Sequence, residues 1–176
     1  AHDAVHLEVG PTRIENGVFA HNSGSALVVD AGQSHSKSVL TGNTFYDNDS
    51  FPIKMYSWMS VDSSNIFHDP ANPAVKNKKQ CIDVSEGPYV ETPTTISNTE
   101  VAIHGDISVR TELTVAKGVI FKPKSTIWLY PEGKIVNGNE AIYTSTRDDE
   151  RGGDCTGDGA GSAAAEDWDG IRVQRR

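Results

Sequence analysis

Helical signal is nearly absent from this chain: no stretch sustains apolar residues at i, i+3, i+4 and i+7 with caps at its ends. Folds built on helices are thereby excluded. No apolar run approaches the ~20 residues that a membrane helix requires, so no membrane span is expected. Nothing has the form of a signal peptide, and Ala1 reads as a processed N-terminus or as a boundary within a longer chain. Cysteine is scarce. Cys81 and Cys155 are too few for a disulfide-dense scaffold and are not spaced as a metal knuckle. In an exported protein they would form one bridge closing a loop of about 75 residues, worth roughly 4 kcal/mol in the chain-entropy model; two separate thiols are the other reading. Positive charge is also in deficit, with 16 Lys and Arg against 24 Asp and Glu and a net charge of −8. Phosphate recognition needs a concentrated basic face, so nucleic acid is not an expected partner. The six histidines, His2, His6, His21, His35, His68 and His104, show no zinc spacing. A ligand pair from His2 and His6 would need a helix, whereas Ala4 to Val9 reads as a strand.

What the chain does contain is a series of short apolar alternations separated by Gly, Asn, Asp and Ser. Ala26–Val29, Val101–Ile103, Ile107–Val109, Leu113–Val115, Ile127–Leu129 and Lys134–Val136 are examples. Strands this short are stable only when partners stack above and below them, which is the logic of a solenoid. A repeat supports that reading. Phe19-Ala-His-Asn22 matches Phe45-Tyr-Asp-Asn48, with Phe67-His-Asp69 as a weaker third copy, and the phenylalanines lie 26 and 22 residues apart. Ile14 and Leu40 each precede Phe by five positions, Leu27 and Ile53 follow by eight, and Asn43 and Asn65 precede by two. Stacked coils would set Phe on Phe inside and Asn on Asn at a turn, one strand spacing of roughly 4.8 Å apart.

In the C-terminal half, Val101–Ile103, Ile107–Val109 and Leu113–Val115 make one coil of three strands. Val119–Phe121, Ile127–Leu129 and Lys134–Val136 make the next, and Ile142–Thr144 begins another. The organisation expected is therefore coils over 1–69, a loop excursion or linker over 70–99, and coils again over 100–176. The fold class is all-β: a right-handed parallel β-helix with coils of about 20–26 residues and three short strands each.

The repeat residues also carry a resemblance. Asn16-Gly-Val-Phe19 and Asn43-Thr-Phe45 resemble coils of the pectin-lyase-like right-handed β-helix proteins. Leu113-Thr-Val-Ala-Lys-Gly-Val119, Tyr130-Pro-Glu-Gly-Lys-Ile-Val136, Ile142-Tyr-Thr-Ser145, the acidic loop and Trp168-Asp-Gly-Ile171 are similar to a pattern in large secreted bacterial surface proteins of that type. The resemblance implies a secreted, extracellular or cell-surface location. It also implies that coils of the Asn-x-x-Phe kind normally follow the Trp-x-Gly-Ile strand. In this chain the order is rotated, so its end reads as the predecessor of its own beginning. With strands expected close to both termini and no cap apparent, copies that stack end to end, or a segment of a longer solenoid, are the readings that follow.

Eight acidic and two basic residues lie between Arg147 and Asp169. Within that loop, Asp154-Cys-Thr-Gly-Asp-Gly159 places oxygen-bearing Asp154, Thr156 and Asp158 at alternate positions, with Gly159 to turn the chain. Calcium takes oxygen ligands in such a pattern. The acid expected six positions after Gly159 falls on Ala165, so Glu166, Asp148 or Asp149 would complete the set. Calcium is the cofactor expected.

Tyr46, Phe51, Tyr56 and Trp58 form an aromatic cluster that could stack on sugar rings, making polysaccharide the candidate partner. Lyases and hydrolases of acidic glycans share the resembled fold, and Lys54, Arg110 or Arg172 would serve as a base. The hydrolase order of Asn-Thr-Asp, Asp-Asp, Gly-His-Gly and Arg-Ile-Lys is not present, however, and fold alone does not assign activity. The function expected is an extracellular structural or adhesive module, calcium-stabilised and self-assembling into filaments. Lyase, hydrolase or binding action on acidic glycans is the alternative.

Overall fold

In a computed structural model, the described residues are 2–8, 10–30, 38–84 and 89–175. They form an all-β parallel β-helix of about six coils. The first coil holds β1 (Val5–Leu7), β2 (Arg13–Glu15) and β3 (Val18–Ala20), and the second β4 (Leu27–Val29), β5 (Val39–Thr41) and β6 (Thr44–Tyr46). The third begins with β7 (Ile53–Met55), continues through single bridges at Val61 and Ile66, and throws out the hairpin β8 (His68–Asp69) and β9 (Asn72–Lys76). The fourth holds β10 (Cys81–Asp83), β11 (Tyr89–Val90) and β12 (Thr94–Ile96). The fifth holds β13 (Ala102–His104), β14 (Ile107–Val109) and β15 (Glu112–Val115), and the sixth β16 (Ile120–Lys122), β17 (Thr126–Leu129) and β18 (Lys134–Val136). β19 (Ile142–Tyr143) and β20 (Gly170–Val173) cover the top. Val9 and His35 lie outside the described residues.

Sheets run across the coils rather than along the chain. β1-β4-β7-β10-β13-β16-β19 make a seven-stranded sheet, β11-β14-β17-β20 a four-stranded one and β12-β15-β18 a three-stranded one. The pairs β2-β5 and β3-β6 continue the walls below. In the seven-stranded sheet the register stacks Val5, Leu27, Ile53, Ile82, Ile103, Phe121 and Tyr143 into one inward column. Three-residue strands survive because the inward side chains of successive coils stack apolar on apolar, so burial replaces length as the source of stability.

The repeats found in the sequence become ladders. Phe19, Phe45 and Phe67 stack with ring centroids 5.0 and 5.4 Å apart. Asn43 Nδ2 donates to Asn65 Oδ1 at 3.1 Å, and Asn65 Nδ2 donates to the Leu40 carbonyl at 2.8 Å. In the first coil that position is Gly17, whose N–H donates to Asn43 Oδ1 at 2.9 Å. A second ladder runs through Asn22, Asn48 and Asn77. Buried backbone at the turns is satisfied by these amides where no strand partner exists.

The two C-terminal coils stand where the alternation placed them, with β13 and β16 each displaced by one residue, to 102–104 and 120–122. Residues 70–99 divide differently from the expected excursion. Among the described residues of this stretch, only the β8–β9 hairpin leaves the wall; β10, β11 and β12 are wall strands paired with β7 and with β13, β14 and β15.

Candidate functional site

The acidic loop leaves β19 and runs back down the outside of the seven-stranded sheet as a strap. The Ala102 N–H donates to the Gly152 carbonyl at 3.1 Å, and the Gln80 N–H donates to the Asp154 carbonyl at 2.6 Å. Between them the Lys122 ammonium donates to the Gly153 carbonyl at 2.5 Å. Cys155 then bonds to Cys81 in a disulfide with a Cα–Cα separation of 5.2 Å. The strap thus descends from the sixth coil to the fourth, fastened at each level. Gly152 and Gly153 make this approach feasible. Their φ values are 68° and 86°, and a Cβ would lie 2.7 Å from the Ala102 Cβ or 2.6 Å from the Gln80 Cβ.

Fastened in this way, the strap draws carboxylates together. Asp149, Asp154 and Asp158 each place an oxygen within 4.8 Å of the others. Asp154 is the hub of the turn: it accepts from the N–H groups of Thr156 (3.0 Å), Gly157 (2.7 Å) and Gly159 (3.0 Å). Burial alone would push its carboxyl up, but these donors outweigh burial and hold it below the ordinary carboxylate range. The Thr156 hydroxyl lies between Asp154 Oδ1, at 3.2 Å, and Asp158 Oδ1.

Asp149 is held differently. Its Oδ2 accepts the Gly161 N–H at 2.6 Å, whereas its Oδ1 is buried with no hydrogen-bond partner among the described residues. Burial first, then the charges of Asp154 and Asp158, raise this carboxyl above its usual range. A carboxylate with one orphaned buried oxygen, set close to two more carboxylates, is electrostatically costly unless a cation balances it. Lys122 supplies part of that balance from below. Its side chain is fully buried, and burial lowers its pKa despite the opposing pull of Asp149, Asp148 and Asp154.

The other expected ligands stand apart. Asp148 is buried, accepts from the Thr144 hydroxyl at 2.5 Å and pairs with Arg151 at 2.9 Å. Burial raises its carboxyl, and those two donors more than reverse the effect. Glu166 is exposed at a φ of 69° and is not among the converging carboxylates.

The aromatic cluster is dispersed. Trp58 is 3% exposed and packs into the hydrophobic core, so it offers no face to a sugar ring, and Phe51 too is buried. Tyr46 sits edge-on to His21, and Tyr56 lies beneath the Lys54 ammonium at 4.7 Å. Lys54 stands on a different wall from the other two candidate bases, Arg110 and Arg172, which both belong to the side formed by the four-stranded sheet. Lys54 is on β7 of the seven-stranded sheet, Arg110 packs at 3.4 Å on the Tyr89 ring, and Arg172 on β20 faces Trp128. Among the described residues, four histidines pair with carboxylates: His6 with Asp30, His21 with Asp47, His68 with Glu100 and His104 with Asp83.

One arrangement has no signal in the sequence. The outward positions of the seven-stranded sheet stack His6, Val28, Lys54, Asp83, His104 and Lys122 in a single column. Asp83 and His104 are both buried, 3.2 Å apart, and Phe51 stacks against the His104 ring. Coils of unequal length separate these residues by irregular intervals, so no period joins them until the register is known. Comparisons with protein-family models, with curated proteins and with solved structures find no match to this chain.

Proposed function

We propose that the chain is an extracellular structural or adhesive β-helix module of the pectin-lyase-like kind, whose upper coils are locked by a calcium-binding strap. The convergence of Asp149, Asp154 and Asp158, with a buried Asp149 oxygen lacking a partner among the described residues, carries this reading. Every donor at the cluster is oxygen: three carboxylates and the Thr156 hydroxyl. This suits a hard divalent cation and not zinc or copper. Asp149 also lines a surface hollow with Glu150, Ala160, Gly161 and Ser162, which gives an ion a way in. The disulfide that anchors the strap supports an oxidising, extracellular setting. Isothermal titration of the oxidised protein with calcium should give one site per chain, and Asp154→Ala with Asp158→Ala should abolish it. A parent protein that takes up no calcium in millimolar solution would remove the cation from this reading.

We further propose that copies assemble end to end through the terminal coils of the described residues. Ile171 and Val173 continue the inward rows of Ile127 and Leu129, yet are 45% and 68% exposed, with no coil of the described residues above them. At the other end, β1 is an edge. The Val5 N–H and the Leu7 carbonyl are engaged by the second coil (3.0 and 2.9 Å), so by the alternation of a parallel ladder His6 presents its peptide groups outward. A neighbour's β1 docking on β19 is a heterologous contact that propagates and does not close. His6→Pro removes an edge donor without touching the β1–β4 bonds. Sedimentation should show concentration-dependent oligomers for the parent and monomers for this variant. A parent that stays monodisperse at high concentration would reject stacking.

A further inference from the structure

We propose that the groove between the outer face of the seven-stranded sheet and the strap is a binding site for an oxyanion, as borne by an acidic sugar or by a sulfate or phosphate group. The groove has a volume of about 420 Å³. Its basic lining is Lys54, Lys79 and Lys124, set against one aspartate, Asp83. The lining is thus net positive on a chain of net charge −8, with the Asp154 and Asp158 carboxylates standing behind the Thr156 rim, and a concave site with low-dielectric walls concentrates the field of its lysines.

The site is built, not merely exposed. Phe51 and the buried Asp83–His104 pair form its floor. The Lys79 ammonium is seated over the Phe51 ring at 4.9 Å, and the Lys54 ammonium over Tyr56 at 4.7 Å. Aromatic seats restrict two flexible side chains, so less conformational entropy remains to be lost when they close on a ligand. Thr156 and Cys155 of the strap form one rim, so the disulfide that fastens the strap also shapes the groove. A second hollow of about 490 Å³ continues from Phe51, Lys54 and Lys79 towards Ser25, His6 and Asp30. A ligand longer than a single acidic group therefore has room to extend down the sheet. Asp3 and Asp30 in that lower part match Lys54 and Lys79 in number, so the anionic group belongs in the upper part, beside Lys124.

The proposal does not depend on calcium in the strap, and its test is run in metal-free buffer prepared by resin, because soluble chelators are themselves polycarboxylates. Titration calorimetry with sodium sulfate, inorganic phosphate and glucuronate, at constant ionic strength set by chloride, should reveal saturable one-to-one binding of at least one of them. Saturation by glucuronate would assign the group to an acidic sugar; saturation by sulfate or phosphate alone would assign it to an ester or the free ion. In K79Q/K124Q, whose fold is checked by circular dichroism and melting, affinity should fall by about tenfold for each lysine removed. K76Q/K117Q makes the same change in net charge at exposed lysines outside the groove and should leave affinity unaltered. Absence of saturable binding by all three anions, or equal weakening in both double variants, would overturn the proposal.

Discussion

Changing Asp149 to asparagine should alter stability in opposite directions with and without calcium. The Asp149 carboxylate faces those of Asp154 and Asp158 with oxygens within 4.8 Å. Two like charges at that distance repel by about 1 kcal/mol even at the dielectric constant of water. Burial, then these two charges, hold the Asp149 carboxyl above its ordinary range. An acid whose pKa rises on folding binds its proton more tightly in the folded state. Its contribution is therefore full below the unfolded pKa and is lost as pH rises through the folded one. At neutral pH the ionised group is thus a cost to the metal-free fold.

The amide introduced by Asp149→Asn would keep an acceptor for the Gly161 N–H and supply donors towards the neighbouring carboxylates. In metal-free buffer the variant should gain about 1–2 kcal/mol, which for a domain of this size is roughly 2–8 °C in Tm. With calcium at about a hundred times its Kd, the parent gains about 2.7 kcal/mol by linkage. The variant, short of one ligand charge, gains less, and the order reverses. Differential scanning calorimetry in the two buffers reads both signs. A variant less stable than the parent in both buffers would refute the account of Asp149 as an unbalanced carboxylate.

Asn48 makes five side-chain hydrogen bonds from a buried position, to Asn22 (two), Phe19, Tyr46 and Asn77. Asn48→Ala should cost about 3–5 kcal/mol in urea unfolding, against about 1 kcal/mol for Asn22→Ala at the open end of the same ladder. Changing Cys81 and Cys155 to serine should remove up to about 4 kcal/mol, the chain-entropy value for a closed loop of this length, as read from the urea midpoint. The pH prediction has the sign opposite to Asp149. The folded pKa of Asp148 is lowered, so the stability it confers is present above the unfolded pKa and lost as pH falls through the folded one. Asp148→Asn should flatten the acid limb of a plot of stability against pH, and an unchanged limb would contradict this.

The parts of the fold legible in the sequence are those where equivalent side chains recur at one face of successive coils. Phe19, Phe45 and Phe67 repeat because the interior at that corner admits the same ring in each coil, and Asn43 and Asn65 because the same turn needs the same amide. The fourth coil has no such marks. Its inward residues Ile82, Val90, Thr94 and Ile96 are spread over strands of two or three residues within a Pro-, Lys- and Thr-rich stretch. Alternation that brief is indistinguishable from a loop, and only the register with the third and fifth coils makes it a wall. Trp58 misleads for a related reason. It lies beyond the end of β7, in an irregular connection, where period two no longer tells inward from outward.

The candidate site divides along the same line. Asp154, Thr156 and Asp158 are legible because a turn of consecutive residues brings them together, with Gly157 and Gly159 supplying the bends. Asp149 and Asp148 are adjacent in sequence, yet they face different partners. Asp148 is satisfied by Thr144 and Arg151, while Asp149 turns towards Asp154 and Asp158. What decides between them is where the strap is fastened, and the fasteners Gln80, Cys81, Ala102 and Lys122 are distant in sequence. Lys122 shows the difficulty most plainly. At the end of a short strand it reads as a solvated charge, but the strap closes over it and makes it the internal counter-charge of the cluster. A cation bound by Asp149, Asp154 and Asp158 would meet that ammonium's repulsion as well as the carboxylates' attraction. Removing the ammonium, as in Lys122→Met, should therefore tighten calcium binding while weakening the metal-free strap, which loses its bond to the Gly153 carbonyl.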